Sequence, residues 1–251
     1  MRVAVGNICE QLLAALDISI VGYVQQVGFI DARGNQPDNV KAIQMLIAQN
    51  DLRIIDNSKV EAIHQLIDQT KRNGDTLGGV IRVVAENVPA GLGSYVSWDT
   101  KLDGKLAAAV MGVNAMKGVS IGDGFENAVR LGSQVMDEIN WDQETGYSRL
   151  SNHLGGFEGG MTNEMPIIIN AAMKPIPTLY KPLQTVDVTS HEPVKANVER
   201  SDTTAIVPAS LVVENVVAIE LAKAITDAFE ASSLERLQEE VAAWRQEMRE
   251  Y

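Results

Sequence analysis

The sequence has a single cysteine, Cys9, among its 251 residues, and this cysteine lies between apolar positions of helical spacing. A disulfide framework and a thiolate metal cluster both need several cysteines, so neither is expected. No apolar run approaches the ~20 residues that cross a bilayer, and the first residues lack a signal-peptide layout. Together with a hydrophobic fraction of 45%, these absences predict a cytoplasmic globular protein with no membrane association.

Basic residues are also scarce, because 21 Lys and Arg stand against 33 Asp and Glu, a formal net charge of -12. Nonspecific nucleic-acid binding requires a basic surface that displaces counterions, so a nucleic-acid partner is not expected. An anionic ligand would have to meet a local cluster of Arg and Lys inside a generally repulsive field.

Apolar spacing predicts helices and strands that do not alternate strictly, which favours the α+β class. Helices are predicted within residues 5–16, from residue 40, and over residues 58–73, 102–111, 209–229 and about 233–250. Strands are predicted over residues 18–27, 79–86, 113–121, 165–173 and 184–189. Ser58 and Glu61 are a candidate capping box. Since no convincing linker interrupts the chain, residues 1–251 are expected to form a single domain.

Four glycines lie within six residues at Gly155, Gly156, Gly159 and Gly160. Such a stretch lets the backbone approach a flat ligand closely, and Asn152 and Thr162 add hydrogen-bonding groups on either side. It lacks the spacing of a nucleotide P-loop, and no Lys-Ser/Thr follows. A single glycine here is more often a tight turn, so the signal for a ligand is moderate.

Two further segments carry groups suited to an anion. Residues 174–178, Lys-Pro-Ile-Pro-Thr, place a cation and a hydroxyl around a stiff double-proline turn. A turn that merely ends a strand is an equally good interpretation. Arg200 offers a planar fork for phosphate or carboxylate, and Asp202 could relay a proton. An acid at a helix N-terminus is the commoner role for such an aspartate.

The three histidines, His64, His153 and His191, lie far apart in the sequence. No two have metal-ligand spacing, and none has a serine or cysteine nucleophile beside it. His64 falls on the apolar side of a predicted helix and is expected in the core or an interface. No metal site is predicted, and no histidine is assigned a catalytic role.

The order of the dispersed motifs resembles the chorismate synthase family. The motifs are Pro89-Ala90-Gly91-Leu92-Gly93, Lys101-Leu102-Asp103, Asn114-Ala115-Met116-Lys117-Gly118, Gly122-Asp123-Gly124-Phe125, Asn152, Gly155-Gly156, Gly159-Gly160-Met161-Thr162-Asn163, Lys174-Pro175-Ile176-Pro177-Thr178 and Arg200-Ser201-Asp202. The match covers nearly the whole chain in register, except for a loosely constrained last helix.

The resemblance implies a β-α-β sandwich and conversion of 5-enolpyruvylshikimate-3-phosphate to chorismate, by 1,4-elimination of phosphate. It also implies reduced FMN as cofactor, with NADPH only if the flavin has to be reduced, and a homotetramer. The family pattern would place FMN on Asn114, Ala115, Gly159, Lys174, Pro175, Ile176, Pro177 and Thr178. Arg200 would lie between flavin and substrate, and Asp202 matches the family aspartate thought to manage a proton at the flavin N5.

The chain departs from the family pattern in two places. The family carries an upstream block with a Gly-x-x-His-Gly motif, a second histidine, further arginines and an Arg-Glu-Thr segment. The residues around Arg2 resemble the stretch that comes directly after that segment in the family, so an incomplete N-terminus and little or no activity of this chain alone are expected. In addition, Glu164 stands where the family usually has glycine, and its carboxylate is expected to weaken anion binding nearby.

Two other functions remain open on the sequence alone. One is a non-catalytic remnant that oligomerises or complements an N-terminal fragment. The other is a different FMN-binding protein that shares the pocket but not the reaction, which ranks last because Arg200-Ser201-Asp202 accompanies every flavin motif.

Overall fold

The computed structural model describes residues 1–37, 39–143 and 146–250. Its helices are α1 (Arg2–Ala14), α2 (Val40–Ile47), α3 (Val60–Arg72), α4 (Leu102–Met111), α5 (Ile206–Ala228) and α6 (Leu234–Glu250). Its strands are β1 (Ser19–Val27), β2 (Ile30–Asp31), β3 (Gly79–Glu86), β4 (Met116–Ile121), β5 (Ile139–Asp142), β6 (Gly146–Arg149), β7 (Phe157–Glu158), β8 (Met161–Thr162), β9 (Ile167–Met173), β10 (Gln184–Val186) and β11 (Pro193–Lys195). The α+β prediction is confirmed.

A five-stranded sheet in the order β2-β1-β3-β9-β4 is the centre of the fold, and all its neighbours are antiparallel. Along β3, Ile81, Val83 and Ala85 face one side and Arg82 and Val84 face the other, because successive side chains alternate across a strand. The first side carries the main core, against which α1, α4 and α5 pack. The second side is covered by α2 at one end and is otherwise open to a cleft.

The packing of α1 on α5 depends on a glycine. A Cβ at Gly6 would lie 2.4 Å from the Cβ of Asn215, so the two helices approach more closely than any other residue allows. The helix predicted within residues 5–16 is present as α1, but only part of its apolar face is buried. Leu13 is buried, whereas Val5 is 43% and Ile8 67% exposed.

A partly buried ion pair between Glu214 of α5 and Arg53 lies against β1. The Glu214 carboxylate accepts hydrogen bonds from the Gly22 amide at 2.9 Å and from the Arg53 guanidinium at 2.8 Å. Burial raises the pKa of Glu214 to about 7, against the opposing effects of the Gly22 amide and Arg53. Burial also raises the pKa of Glu10, whose charge acts on Glu214. The carboxyl pair therefore retains protons in the folded state that the unfolded chain releases.

Stability is expected to fall as the pH rises from about 4.5 to about 7. Since the folded-state pKa of Glu214 lies above its unfolded value, its contribution is complete below the unfolded pKa and is lost through the folded one. The free energy of unfolding should fall by at most about 3 kcal/mol over this pH range. Urea midpoints measured across this range should show the loss, and Glu214→Gln should flatten it. The exposed Glu240→Gln is the control, and an equally steep profile in both variants would contradict the assignment.

Three local expectations are wrong. The capping box at Ser58 is not formed, because Asp56 accepts from the Ser58 amide instead and caps a short 3-10 turn before α3. His64 lies 3.1 Å from Asp51 with 41% of its side chain exposed, so it is a surface group. Helix α5 begins at Ile206, three residues earlier than the apolar spacing predicts.

Candidate functional site

The loop of residues 74–78, between α3 and β3, contacts both anion-suited segments. The Thr76 hydroxyl donates to the carbonyl oxygen of Ile176 at 2.7 Å, and Thr76 is buried. On the other side, the Leu77 amide donates to the carbonyl oxygen of Thr203 at 2.8 Å. We call residues 74–78 the connecting loop, because it holds the double-proline turn and the Arg200 segment on either side of itself.

The connecting loop has no room for a side chain where it meets the turn. A Cβ at Gly78 would lie 2.2 Å from the carbonyl oxygen of Met173 and 3.0 Å from the backbone of Lys174 and Pro175. Glycine is therefore required at this position for steric reasons alone. The resulting contact fixes the start of the double-proline turn directly after β9.

A cavity of about 350 Å³ lies beside the connecting loop. Its lining residues are Lys71, Asp75, Thr76, Tyr180, Arg200, Ser201, Asp202 and Thr203. Two cations and two carboxylates thus share one small volume. Within residues 1–37, 39–143 and 146–250, neither Lys71 nor Arg200 forms a salt bridge, and Asp202 forms none either. These charges are available to a ligand.

Asp202 is not at a helix terminus. Helix α5 begins four residues later, with Ala205 at the N-cap position. The side chain is exposed, and its neighbour Ser201 donates its hydroxyl to the Asp202 carbonyl oxygen at 3.1 Å. The commoner role considered for this aspartate, a partner of the helix dipole, is therefore wrong.

Asn114 and Ala115 lie next to the double-proline turn. The Lys174 amide donates to the carbonyl oxygen of Ala115 at 2.9 Å. Ala115 has a φ of 70°, in the left-handed region that a non-glycine residue adopts only under constraint. The Lys174 ammonium itself donates to the carbonyl oxygen of Pro175 at 3.1 Å. Because β4 begins and β9 ends here, these residues meet at one edge of the sheet.

Gly159 lies elsewhere. It turns the short hairpin between β7 and β8, where Gly159 and Gly160 have φ values of 61° and 90°. The Gly160 carbonyl oxygen accepts from the Leu102 amide at the start of α4, whereas Asn114 follows the end of that helix. Ten helical residues separate the two points by about 15 Å. Within the described chain, Gly159 is not brought together with the other site residues.

Glu164 also lies away from the cavity. It lines a different cleft together with Arg245 and Arg249. Burial lowers the pKa of Arg245, and the nearby carboxylates of Asp17 and Glu164 oppose that effect. Glu164 therefore does not line the cavity of Arg200 and Asp202, and its effect on anion binding at the flavin pocket stays a prediction.

Sequence reasoning missed Lys71, Thr76 and Tyr180 in the cavity. A usable signal for Thr76 was present, because a polar Asp75-Thr76 pair between glycines directly precedes a buried strand. It also missed a cluster around Asp123, which lies 2.7 Å from His153 Nδ1 and 2.5 Å from Arg130 Nη1. Burial raises the pKa of Asp123, but hydrogen bonds from His153 and Arg130 outweigh it and hold the pKa below the usual value.

Comparison with known proteins decides the family. The family model described as chorismate synthase matches residues 1–226. The chain belongs to the chorismate synthase family. It is 68% identical over 251 residues to a chorismate synthase of Lactiplantibacillus plantarum and 67% identical to one of Limosilactobacillus fermentum. In each case the alignment covers 100% of this chain and 64% of the relative.

Solved structures agree with this assignment. A structure described as "Crystal Structure of Chorismate Synthase" superposes with a TM-score of 0.86 at 36% sequence identity, covering 100% of this chain and 69% of that one. The expected fold type is thereby confirmed. The chain spans 64% of the length of the two relatives and 69% of the solved structure. In the described part of the chain, none of the helices has both the length and the apolar character of a membrane span.

Proposed function

We propose that the protein converts 5-enolpyruvylshikimate-3-phosphate to chorismate with reduced FMN, and that the cavity beside the connecting loop belongs to its active site. The observation that carries this proposal is the set of unpaired charges on one cavity wall. Lys71 and Arg200 are cations without a salt bridge in the described residues, and both line the same 350 Å³ as Asp202. In a chain of net charge -12, such cations are suited to a bound phosphate.

The residues at this edge fit FMN. Arg200 presents a planar guanidinium to an anionic group, and Lys174 to Thr178 form a turn whose prolines and hydrogen bond to Thr76 restrict its motion. Ala115 brings its backbone against the same turn. When bound, reduced FMN would supply and recover electron density during the loss of phosphate. NADPH would be needed only to reduce it.

The protein groups then have separate roles. The guanidinium of Arg200 stabilises charge that develops on the leaving phosphate, because it is a permanent cation that lines the same cavity. The carboxylate of Asp202 has no cationic partner in the described chain, so it is free to accept a proton and return it. Gly159 remains a proposed contact of the cofactor.

A cytoplasmic homotetramer is part of the proposal. The loop that precedes α4 presents an apolar surface, where Tyr95, Val96 and Trp98 are 74%, 79% and 84% exposed. Clustered apolar exposure of this kind is typical of surfaces that contact another protein. The proposed single domain, residues 1–251, would bury this surface against another copy.

We expect the 251-residue chain to bind FMN and to release little or no phosphate from 5-enolpyruvylshikimate-3-phosphate. The reason is that about a third of the relatives' own length lies outside the alignment, and in the family that part carries acid/base and phosphate-binding residues. Flavin fluorescence and a phosphate-release assay under reducing, anaerobic conditions measure the two properties. Adding the separately produced remaining portion is expected to restore turnover.

The other outcomes of these two assays each favour a different interpretation. Full turnover by the chain alone would refute the expected inactivity. Binding of FMN without turnover in the mixture would favour the non-catalytic remnant. Binding of FMN with no change in the flavin spectrum on adding substrate would favour a different flavoprotein. If FMN does not bind at all, the proposed site is wrong.

A further inference from the structure

A row of polar side chains crosses the open face of the central sheet. Tyr23, Arg82, Asn170 and Ser120 occupy directly paired positions on β1, β3, β9 and β4. Paired residues of adjacent strands point to the same face, so the four side chains form one line. Arg82 Nε donates to Asn170 Oδ1 at 2.8 Å, and Asn170 Nδ2 donates to Ser120 Oγ at 3.2 Å.

Arg82 has no acidic partner in this row. Its hydrogen-bond acceptors are the side-chain amide oxygens of Asn170 and Gln36. No salt bridge of Arg82 exists anywhere in the described parts of the chain. A half-buried guanidinium without a counterion is costly, since desolvation is not repaid by a nearby negative charge. Two neutral amides fix its orientation without neutralising it.

A second donor of the cleft makes no hydrogen bond, although the Tyr23 hydroxyl lies near it. Gln25 is only 3% exposed, and its Nε2 atom makes no hydrogen bond to any described residue. Gln25 is the extra residue of a β-bulge, because the register shifts between Val24 and Gln26. Bulges re-aim side chains, and here both Gln25 and Gln26 line the cleft that contains Arg82. Two donors thus converge on one space.

The cleft has a volume of about 320 Å³, and each of its other charged residues already has an ion-pair partner. Asp123 and Glu126 on its rim both pair with Arg130. Arg33, also on the rim, pairs with Asp31 at 2.6 Å. Arg82 is consequently the cation left without a counterion among the cleft's described residues. None of these residues lines the cavity of Arg200 and Asp202, so the two spaces are separate.

We propose that this cleft is a second binding site, which takes a small anion, a carboxylate or a phosphate, on the guanidinium of Arg82 and the amide of Gln25. The fork of the guanidinium matches two oxygens of such a group, and Gln25 Nε2 supplies a further donor. The assignment goes beyond the proposed reaction and does not depend on it.

The test is isothermal titration of the full chain with two probes, inorganic phosphate and succinate. A Lys71→Gln, Arg200→Gln background removes both unpaired cations of the other cavity, so that heat from that site does not interfere. Saturable binding of either probe is expected, and Arg82→Gln should weaken it by at least about tenfold, since charged hydrogen bonds are lost. The matched control is Arg33→Gln, which removes a cation of the same cleft that is already paired, and it should leave the affinity nearly unchanged.

Thermal unfolding adds a readout that a structural role would not give. In anion-free buffer Arg82→Gln should melt no lower than the parent, and the probe should raise Tm of the parent only. If Arg82→Gln does not fold, Gln25→Leu decides, since it is expected to weaken binding as well. The inference is overturned if neither probe binds the parent, or if the variant that is measured binds as the parent does.

Discussion

Replacing Gly78 with alanine is expected to lower the free energy of unfolding by about 3 kcal/mol. The added Cβ would lie 2.2 Å from the carbonyl oxygen of Met173 and 3.0 Å from backbone atoms of Lys174 and Pro175. These are all backbone atoms, which cannot rotate away as the end of a flexible side chain does. Relief requires β9 to separate from the connecting loop, and chemical denaturation of the purified chain measures the cost.

Gly118→Ala is the matched control for this substitution. Gly118 lies in β4, on the other side of β9, and its added Cβ would meet the Cβ of Ala172 at an ordinary 3.5 Å. Its effect should stay within about 0.5 kcal/mol, as for most sites where nothing clashes. Equal denaturation midpoints for Gly78→Ala and Gly118→Ala would show that the tight contact at Gly78 is not a constraint.

The effect of Gly78→Ala should extend from stability to the cofactor. The connecting loop is hydrogen-bonded to the double-proline turn through Thr76 and to the Arg200 segment through Leu77. Moving it would alter the spacing of both segments. We therefore expect weaker FMN binding by Gly78→Ala even at temperatures where the variant is fully folded, and unchanged FMN binding by Gly118→Ala.

Asp202→Asn and Arg200→Gln are expected to separate turnover from binding. The asparagine keeps the shape of Asp202 and removes its ability to hold a proton, so turnover should fall by about 10²–10⁴-fold. Affinity for FMN should change little. Arg200→Gln removes a charged donor from the same cavity, so it should weaken FMN or substrate binding by about 10- to 100-fold.

These measurements use the chain combined with the separately produced portion that the relatives contain in addition. Flavin fluorescence gives affinity, and single-turnover phosphate release gives the rate. The control is Lys195→Gln, which removes a cation from β11 outside the cavity. Equal loss of affinity for Lys195→Gln and Arg200→Gln would mean that net charge is responsible and that the anion-binding role of Arg200 is wrong. For Asp202→Asn the matched control is Glu192→Gln, which removes an exposed carboxylate outside the cavity, and equal loss of turnover in both would contradict the proton-transfer role.

Much of the secondary structure follows from local patterns. The strand over residues 79–86 and the helix over residues 102–111 match the predicted bounds, because β-branched alternation and helical apolar spacing are strong there. The predictions of where helices begin were less accurate. Ser58 has the residue type of a cap, but Asp56 reaches the free amide first.

Long-range packing explains the errors of local patterns. His64 lies on a face that looks apolar in sequence, yet that position of α3 points toward Asp51 and solvent. Val5 and Ile8 share helical spacing with Leu13, but α1 rests on α5 through Gly6, which turns the first two outward. Neither result can be obtained without knowing which helix packs on which.

The α+β class, the family and the residue types suited to phosphate could all be predicted from the sequence, because they depend on spacing, order and chemistry along the chain. Which of those residues meet could not be predicted, and is seen in the folded chain. It places Arg200, Asp202 and the double-proline turn on either side of the connecting loop, and it leaves Gly159 at the other end of α4. The physical reason is that such contacts come from the pairing of β3, β9 and β4 and from steric fit at Gly78, which join residues about 100 positions apart.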